Sequence, residues 1–160
     1  MKYYEKYPTQ GEIKEVWEYK KGQLWWKERG RGRRMNRPVG SVCTTGYRRV
    51  GTGRFLEHAI IYIYHYGKIP IGLEIDHIDG DKLNNKIINL RSVTKKENHM
   101  NRKTAKGYCF HKKNRKWLAM LRVDGELMNL GSFSTTVKAR QAYLNAKAKY
   151  HIIKDRKPCV

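Results

Sequence analysis

Apolar and polar positions change period several times along the chain, and each change predicts an element. Val16-Trp17-Glu18-Tyr19 and Gln23-Leu24-Trp25-Trp26 flank Lys20-Lys21-Gly22, the pattern of a β-hairpin. Ser41-Val42-Cys43 and Tyr47-Arg48-Arg49-Val50 around Thr44-Thr45-Gly46 predict a second one, so the first fifty-odd residues read as short strands and turns. Leu56, Ala59, Ile60, Ile63 and Tyr64 then recur at helical spacing, which predicts a core helix over roughly 54–66 with Gly67 as its stop. Leu73 and Ile75 alternate with Glu74 and Asp76, as on a half-buried strand ending near His77. Residues 78–86, rich in Asp, Asn and Gly, read as a loop, and Leu90 to Val93 as a short return strand. Thr94-x-x-Glu97 has the form of a capping box, so a helix starts at Lys95 with Asn98 in its first turn. Tyr108–His111, Trp117–Val123 and Leu127–Leu130 predict three more strands, the last two joined by the tight turn Asp124-Gly125. Thr135 or Thr136 caps a final helix on which Val137, Ala139, Ala142, Tyr143, Ala146 and Tyr150 recur.

Charge alters this picture more than composition does. Against 35 Lys and Arg stand 14 Asp and Glu, a formal net charge of +21 over 160 residues. Such a surplus repels itself in a compact chain, so a polyanionic partner is expected, nucleic acid before an anionic membrane. The apolar run Ala59–Tyr64 is far too short to span a bilayer, and no signal-peptide core follows the polar start. Cys43, Cys109 and Cys159 are scattered and odd in number, which gives no disulfide framework and suits a reducing compartment. They read as structural or incidental thiols.

The chemistry concentrates in residues 73–101, LEIDHIDGDKLNNKIINLRSVTKKENHMN. Two short strands and a helix there carry polar side chains from all three pieces. Phosphodiester hydrolysis needs a base for water and a cation for the phosphate and leaving oxygen. An Asp carboxylate with an Asn carbonyl suits a hard divalent cation that keeps open positions, and a neighbouring His can be the base if an Asn side chain or a backbone carbonyl fixes its ring. An EF-hand does not fit: counted from Asp76 the third ligand position is Ile78, and counted from Asp79 the fifth is Leu83 with no Glu at the twelfth. A zinc site lacks both a Cys pair and a Glu-x-x-His helix.

The string DHIDGDKLNNKIINLRSVTKKEN resembles the core of phage- and intron-associated HNH homing endonucleases, through Asp-His at its start, Asn-Asn in the loop, Asn-Leu-Arg before the second strand and Thr-x-x-Glu-Asn opening the helix. The resemblance implies His77 as general base, Asn89 as the residue orienting it, and Asp76 with Asn98 as ligands of Mg²⁺, Mn²⁺ being the alternative, with no structural zinc. Asn98 stands where the family name has its last His; His99, beside it, would point elsewhere. Residues 107–150 resemble an AP2-type DNA-binding domain through Trp117, Arg122-Val123-Asp124-Gly125, Leu130-Gly131-Ser132-Phe133 and the Ala-rich helix. Tyr108-Cys109-Phe110 departs from the smaller, more polar strand opening usual there.

Together these readings give an α+β protein: N-terminal β-hairpins (1–53), a ββα-metal nuclease core (54–103) and an AP2-like three-stranded sheet plus helix (104–160). Trp117, Ala119, Leu121 and Val123 are expected to face the helix. Leu118, Met120 and Arg122 are expected to face the major groove, with His111, Lys113 and Arg115 nearby. Arg29, Arg31, Arg33, Arg34 and Arg37 form a Gly-spaced basic run suited to a groove or backbone. Trp25, Trp26 and Tyr47 read as small-core residues. The expected activity is site-specific, divalent-metal-dependent cleavage of double-stranded DNA, nicking one strand per monomer unless two chains meet on the DNA. The resemblance places it in the cytoplasm of a phage-infected bacterium. The competing readings are a non-catalytic sequence-specific DNA-binding regulator and an RNA-binding protein, the latter lacking any RNP or KH signature.

Overall fold

Thr9 opens the first element. In the computed structural model, which describes residues 7–101, 105–154 and 156 (leaving Cys159 outside), its hydroxyl accepts from the Glu12 amide while Glu12 accepts from the Thr9 amide at 2.7 Å. This capping box starts α1 (Gln10–Val16), a helix where the hydropathy pattern predicts only strands. Its seven residues bury Ile13 alone, too little to give a periodic signal. The chain then makes β1 (Trp17–Lys20) and β2 (Gln23–Trp26), paired antiparallel around Lys21-Gly22. Both turn residues have positive φ, 48° and 88°, the arrangement that matches strand twist in a two-residue hairpin.

β3 (Ser41–Val42), β4 (Arg48–Val50) and β5 (Phe55–Leu56) form a three-stranded antiparallel sheet. Because Phe55 and Leu56 pair with β4, the core helix begins later than its periodicity predicts, as α2 (Glu57–Tyr66). It ends at Gly67, whose amide donates to the Ile63 carbonyl at 2.8 Å with φ 79°. Every residue from Glu57 to Ile63 is buried, so α2 is a central helix with no solvent face in its first two turns. β6 (Leu73–His77) and β7 (Leu90–Thr94) pair antiparallel with His77 opposite Leu90. α3 (Lys95–Met100) follows, capped reciprocally by Thr94 and Glu97 as the sequence predicts.

The described residues divide into two compact units, one of residues 7–98 with Arg156, the other of residues 99–101 and 105–154. Ile13, Trp17, Leu24 and Val50 share a single core with Ile60, Ile61, Tyr62, Ile75 and Leu90. No separation of cores therefore falls at the expected 53/54 boundary: the N-terminal hairpin alone has too little apolar area to stand apart from α2. The first unit also contains a return the sequence did not signal, in which the Arg156 amide donates to the Ser92 carbonyl and its guanidinium pairs with Glu97.

The second unit holds β8 (Tyr108–His111), β9 (Lys116–Val123) and β10 (Glu126–Phe133) in sheet order, then α4 (Thr136–Tyr150) capped by Thr135. Asp124-Gly125 is the predicted turn, with φ 49° and 96°. β10 outruns the predicted Leu127–Leu130 by continuing through a register shift between Asn129 and Gly131. Leu121, Tyr143 and Ala146 make its core, with Val123 and Leu130 against them. Gly107 is required here: its φ is 74°, and a Cβ would lie 2.1 Å from the Tyr143 ring. Among the described residues no helix is long and apolar enough to cross a membrane.

Candidate active site

Strand alternation on β6 puts Ile75 and His77 on one face and Glu74 and Asp76 on the other. His77 is buried, 4% exposed, and its Nε2 lies 2.8 Å from Asn85 Oδ1. A carbonyl oxygen can only accept, so Nε2 carries the ring proton and Nδ1 is the basic nitrogen. Asn85 in turn donates through Nδ2 to Glu57 Oε2 at 2.7 Å, and Glu57 Oε1 accepts from the Leu24 amide at 3.1 Å. Arg48 Nε stands 3.5 Å from Glu57 Oε2. Burial pushes the Glu57 carboxyl up, and the bonds from Leu24 and Asn85 and the charge of Arg48 pull against it.

Two further rings enclose His77. His58, from α2, meets it edge-on at 4.9 Å between centroids, and Tyr47 lies 5.2 Å from His58 and 6.1 Å from His77. Burial, helped by His77, lowers the His58 pKa to about 3, so His58 is an uncharged neighbour at neutral pH. Burial first, then the charges of Asp76 and Glu74, push the Tyr47 phenol up. Lys82 lies 4.8 Å over the same ring and donates to the Thr45 carbonyl.

On the opposite face, Asp76 Oδ2 accepts from Arg91 Nε at 3.0 Å and Nη2 at 2.8 Å, a pair set by the register that puts the two residues directly across the hairpin. Asn98 Nδ2 donates to Glu74 Oε2 at 2.7 Å. Glu74 therefore orients the Asn98 amide on the face that carries Asp76, with its carbonyl directed away from the Glu74 carboxylate. A carboxylate and an amide carbonyl are hard oxygen donors, a set that fits a cation retaining several waters. Among the described residues no group of three or more His, Cys, Asp or Glu is placed to hold a metal.

Asn89 does something other than the expected orientation of the His77 ring. Its Nδ2 donates to Asp79 Oδ1 at 2.9 Å and to the Asn84 carbonyl at 2.8 Å, its Oδ1 accepts from the Asp79 amide, and its carbonyl accepts from Ile78. Asn89 thus ties the loop across its base, and the ring contact comes from Asn85. Asn84, Asn85 and Asn89 all fall between β6 and β7 and are alike in residue type, so the resemblance pointed to Asn89 and nothing local to Asn85. Glu57 was missed altogether. It opens a helix in an apolar stretch, with no local sign of a partner 28 positions on.

The basic residues fall into separate groups. Arg29, Arg31, Arg34 and Arg37 are exposed and Arg33 is half-buried, stacked 5.0 Å over Trp26. Arg34 and Arg37 line a cavity of about 440 Å³ with Trp26, Ser41, Arg49 and Thr52, and no carboxylate lines it. In the second unit His111, Lys113 and Arg115 gather at the β8–β9 turn, all exposed. Arg122 is not with them. It lies near the other end of β9, about 20 Å along the strand from Lys116, where its Nη1 donates to the Gly125 carbonyl at 2.7 Å. Cys43, half-buried in the β3–β4 turn, has a thiol lowered to about 7, first by its bond to Thr45.

Residues 55–100 match the family described as HNH endonuclease. The chain is 48% identical over 48 residues to YosQ, an SPbeta prophage-derived protein of Bacillus subtilis (strain 168) named as an HNH homing endonuclease, a match covering 30% of this chain and 28% of that protein. It is 38% identical over 83 residues to Protein 3.8 of Escherichia phage T7, covering 48% of this chain and 69% of that protein. An HNH endonuclease of Acanthamoeba polyphaga mimivirus is 43% identical over 54 residues, 33% of this chain and 29% of its own length. The chain therefore spans less than a third of two of these relatives and about two thirds of the phage protein. No solved structure matches it.

Proposed function

Because this chain belongs to the HNH endonuclease family, we propose that it is a site-specific, divalent-metal-dependent DNA endonuclease whose general base is His77. The observation that carries the reading is the polarity of the His77 contact. Asn85 Oδ1 accepts from the Nε2–H and leaves Nδ1 as the proton acceptor, at the end of a strand that also carries Asp76 and whose Glu74 holds Asn98 of α3. Asp76 and Asn98 would hold Mg²⁺ or Mn²⁺, which when bound stabilises charge on the phosphate and the leaving oxygen. His77 Nδ1 removes a proton from the attacking water, Arg91 fixes the Asp76 carboxylate, and Glu74 fixes the Asn98 amide. Asn89 contributes by holding the loop that carries Asn85. The products are a 5′-phosphate and a 3′-hydroxyl, by likeness to the family.

Double-stranded DNA is the substrate this reading requires, and the charge of +21 supports it. The run Arg29–Arg37, with the carboxylate-free cavity beside it, serves as a contact to the DNA backbone. The second unit, three strands and a helix like an AP2-type domain, serves as the sequence reader, with His111, Lys113 and Arg115 at one end and Arg122 at the other. With one catalytic core per chain, a monomer nicks one strand per encounter unless two chains meet on the DNA, and the expected setting is the cytoplasm of a phage-infected cell.

Supercoiled DNA carrying candidate sites tests the reading, incubated with millimolar Mg²⁺ or Mn²⁺ and wild type beside His77→Ala. Nicked product that needs the metal and disappears in the variant, with DNA binding kept, is the expected result. Binding without cleavage under either metal, on DNA that contains the bound site, would replace the nuclease with a regulator.

A further inference from the structure

Glu57 touches no reacting group, yet it ends a chain of buried bonds whose direction is fixed throughout. Its side chain is fully buried and Asn85 is 2% exposed, so neither amide nor carboxylate has water as an alternative partner. An ionised carboxylate only accepts. Glu57 Oε2 therefore takes Asn85 Nδ2, which forces Asn85 Oδ1 toward His77 and places the ring proton on Nε2. We propose that Glu57 is a positioning residue which, through Asn85, sets the tautomer of His77 and thereby makes Nδ1 the base. The tautomer assignment stands by itself, and its catalytic consequence rests on the nuclease reading above.

The isosteric change Glu57→Gln separates this role from packing. The two ends of a Gln at position 57 are not equivalent, because the buried Leu24 amide needs an acceptor where Oε1 now stands. Turning the NH₂ toward Leu24 would leave that backbone N–H facing a donor, with no acceptor. The Gln oxygen therefore stays at Leu24 and its NH₂ replaces Oε2. Arg48, partly exposed and 3.5 Å away, can turn to solvent. Asn85 must then present its oxygen to that NH₂ and its own NH₂ to His77. The ring can accept only by moving its proton to Nδ1, so the base is lost with shape and volume unchanged. Adding Asn85→Asp should reverse this. A carboxylate at 85 accepts both from the Gln NH₂ and from His77 Nε2–H, and the net charge returns to that of the wild type.

The experiment is ¹⁵N NMR of the His77 imidazole in the full chain, alongside single-turnover cleavage and DNA affinity for wild type, E57Q and E57Q/N85D. E57Q should show the proton on Nδ1, bind DNA as wild type does, and cleave roughly 10²–10⁴-fold more slowly, the range for a lost general base. E57Q/N85D should return the proton to Nε2 and recover at least about tenfold of the lost rate. A wild-type tautomer or wild-type rate in E57Q overturns the proposal. If E57Q does not fold, the double variant decides: a folded, cleaving E57Q/N85D with the proton on Nε2 supports it. A double variant as defective as E57Q shows Glu57 to be structural only. Wild type that never cleaves, with the tautomer switching as described, would end the nuclease reading and leave the assignment of Glu57 standing.

Discussion

The interior of the first unit and that of the second are built from different material. Around α2 the first unit buries Glu57, His58, Asp76, His77, Asn85 and Asn89 among its Ile, Leu and Val residues, and those polar side chains meet partners of the right polarity or pack ring against ring. Between β9 and α4 the second unit buries Ala119, Leu121, Ala139, Tyr143 and Ala146, with its charge left on the surface. A buried polar group costs free energy unless every bond is made, so a unit that keeps several fixes each one's direction. A thin apolar core fixes the shape of the sheet and leaves most of its Lys and Arg residues on the surface. The contrast matches the proposed division, with directional chemistry in one unit and DNA binding in the other.

The sharpest way to break that assignment is Asp76→Ala or His77→Ala. Each should lower the cleavage rate by roughly 10²–10⁴-fold and leave DNA affinity, measured by gel shift, near wild type. Affinity falling in step with rate would mean that the two functions are not separable. Next in size is Tyr143→Ala, which removes the largest buried side chain among the described residues of the second unit's core and should cost that unit about 3 kcal/mol. In calorimetry its transition should fall while that of the first unit stays. One merged transition that shifts as a whole would contradict two independent cores.

Acid should separate the units again. His58 has a folded pKa near 3 against 6.5 in the unfolded chain, so between those values the unfolded state binds more protons. Stability of the first unit is then full above pH 6.5 and declines toward pH 3, with a slope of up to about 1.4 kcal/mol per pH unit from this one group. Thermal melts of wild type and His58→Phe compared across that range should show a shallower dependence in the variant, and the second unit's transition should not respond to the substitution. The smallest effect belongs to the surface. Lys113→Ala should weaken DNA binding a few-fold on every sequence and reduce the salt slope by about 1, whereas a loss confined to one sequence would make Lys113 a base reader.

Much of this was legible because it is local. Lys21-Gly22 and Asp124-Gly125 make turns whose backbone geometry only a few residue types accept, and Thr94 with Glu97 caps a helix through bonds spanning three positions. Asp76 and His77 could be picked out because the run from Asp76 to Asn98 resembles the HNH core. Less accessible was α1, whose capping box at Thr9 and Glu12 is present but whose single buried residue makes no pattern. The division near residue 53 was misleading for a related reason: composition changes there, while the core that Leu24 and Val50 share with Ile60 and Ile61 crosses it.

The sequence by itself determined the turns, the caps, the strand that ends in Asp-His and the excess of positive charge, since each depends on backbone preferences or counts within a few residues. Which of Asn84, Asn85 and Asn89 reaches the His77 ring was decided only by the path of the loop between β6 and β7. That Glu57, 28 positions earlier, should be its partner was decided by where α2 packs. Hydrogen bonds act over about 3 Å and recognise an atom's polarity rather than its place in the chain. A contact between distant segments is therefore chosen only once the fold has brought them together.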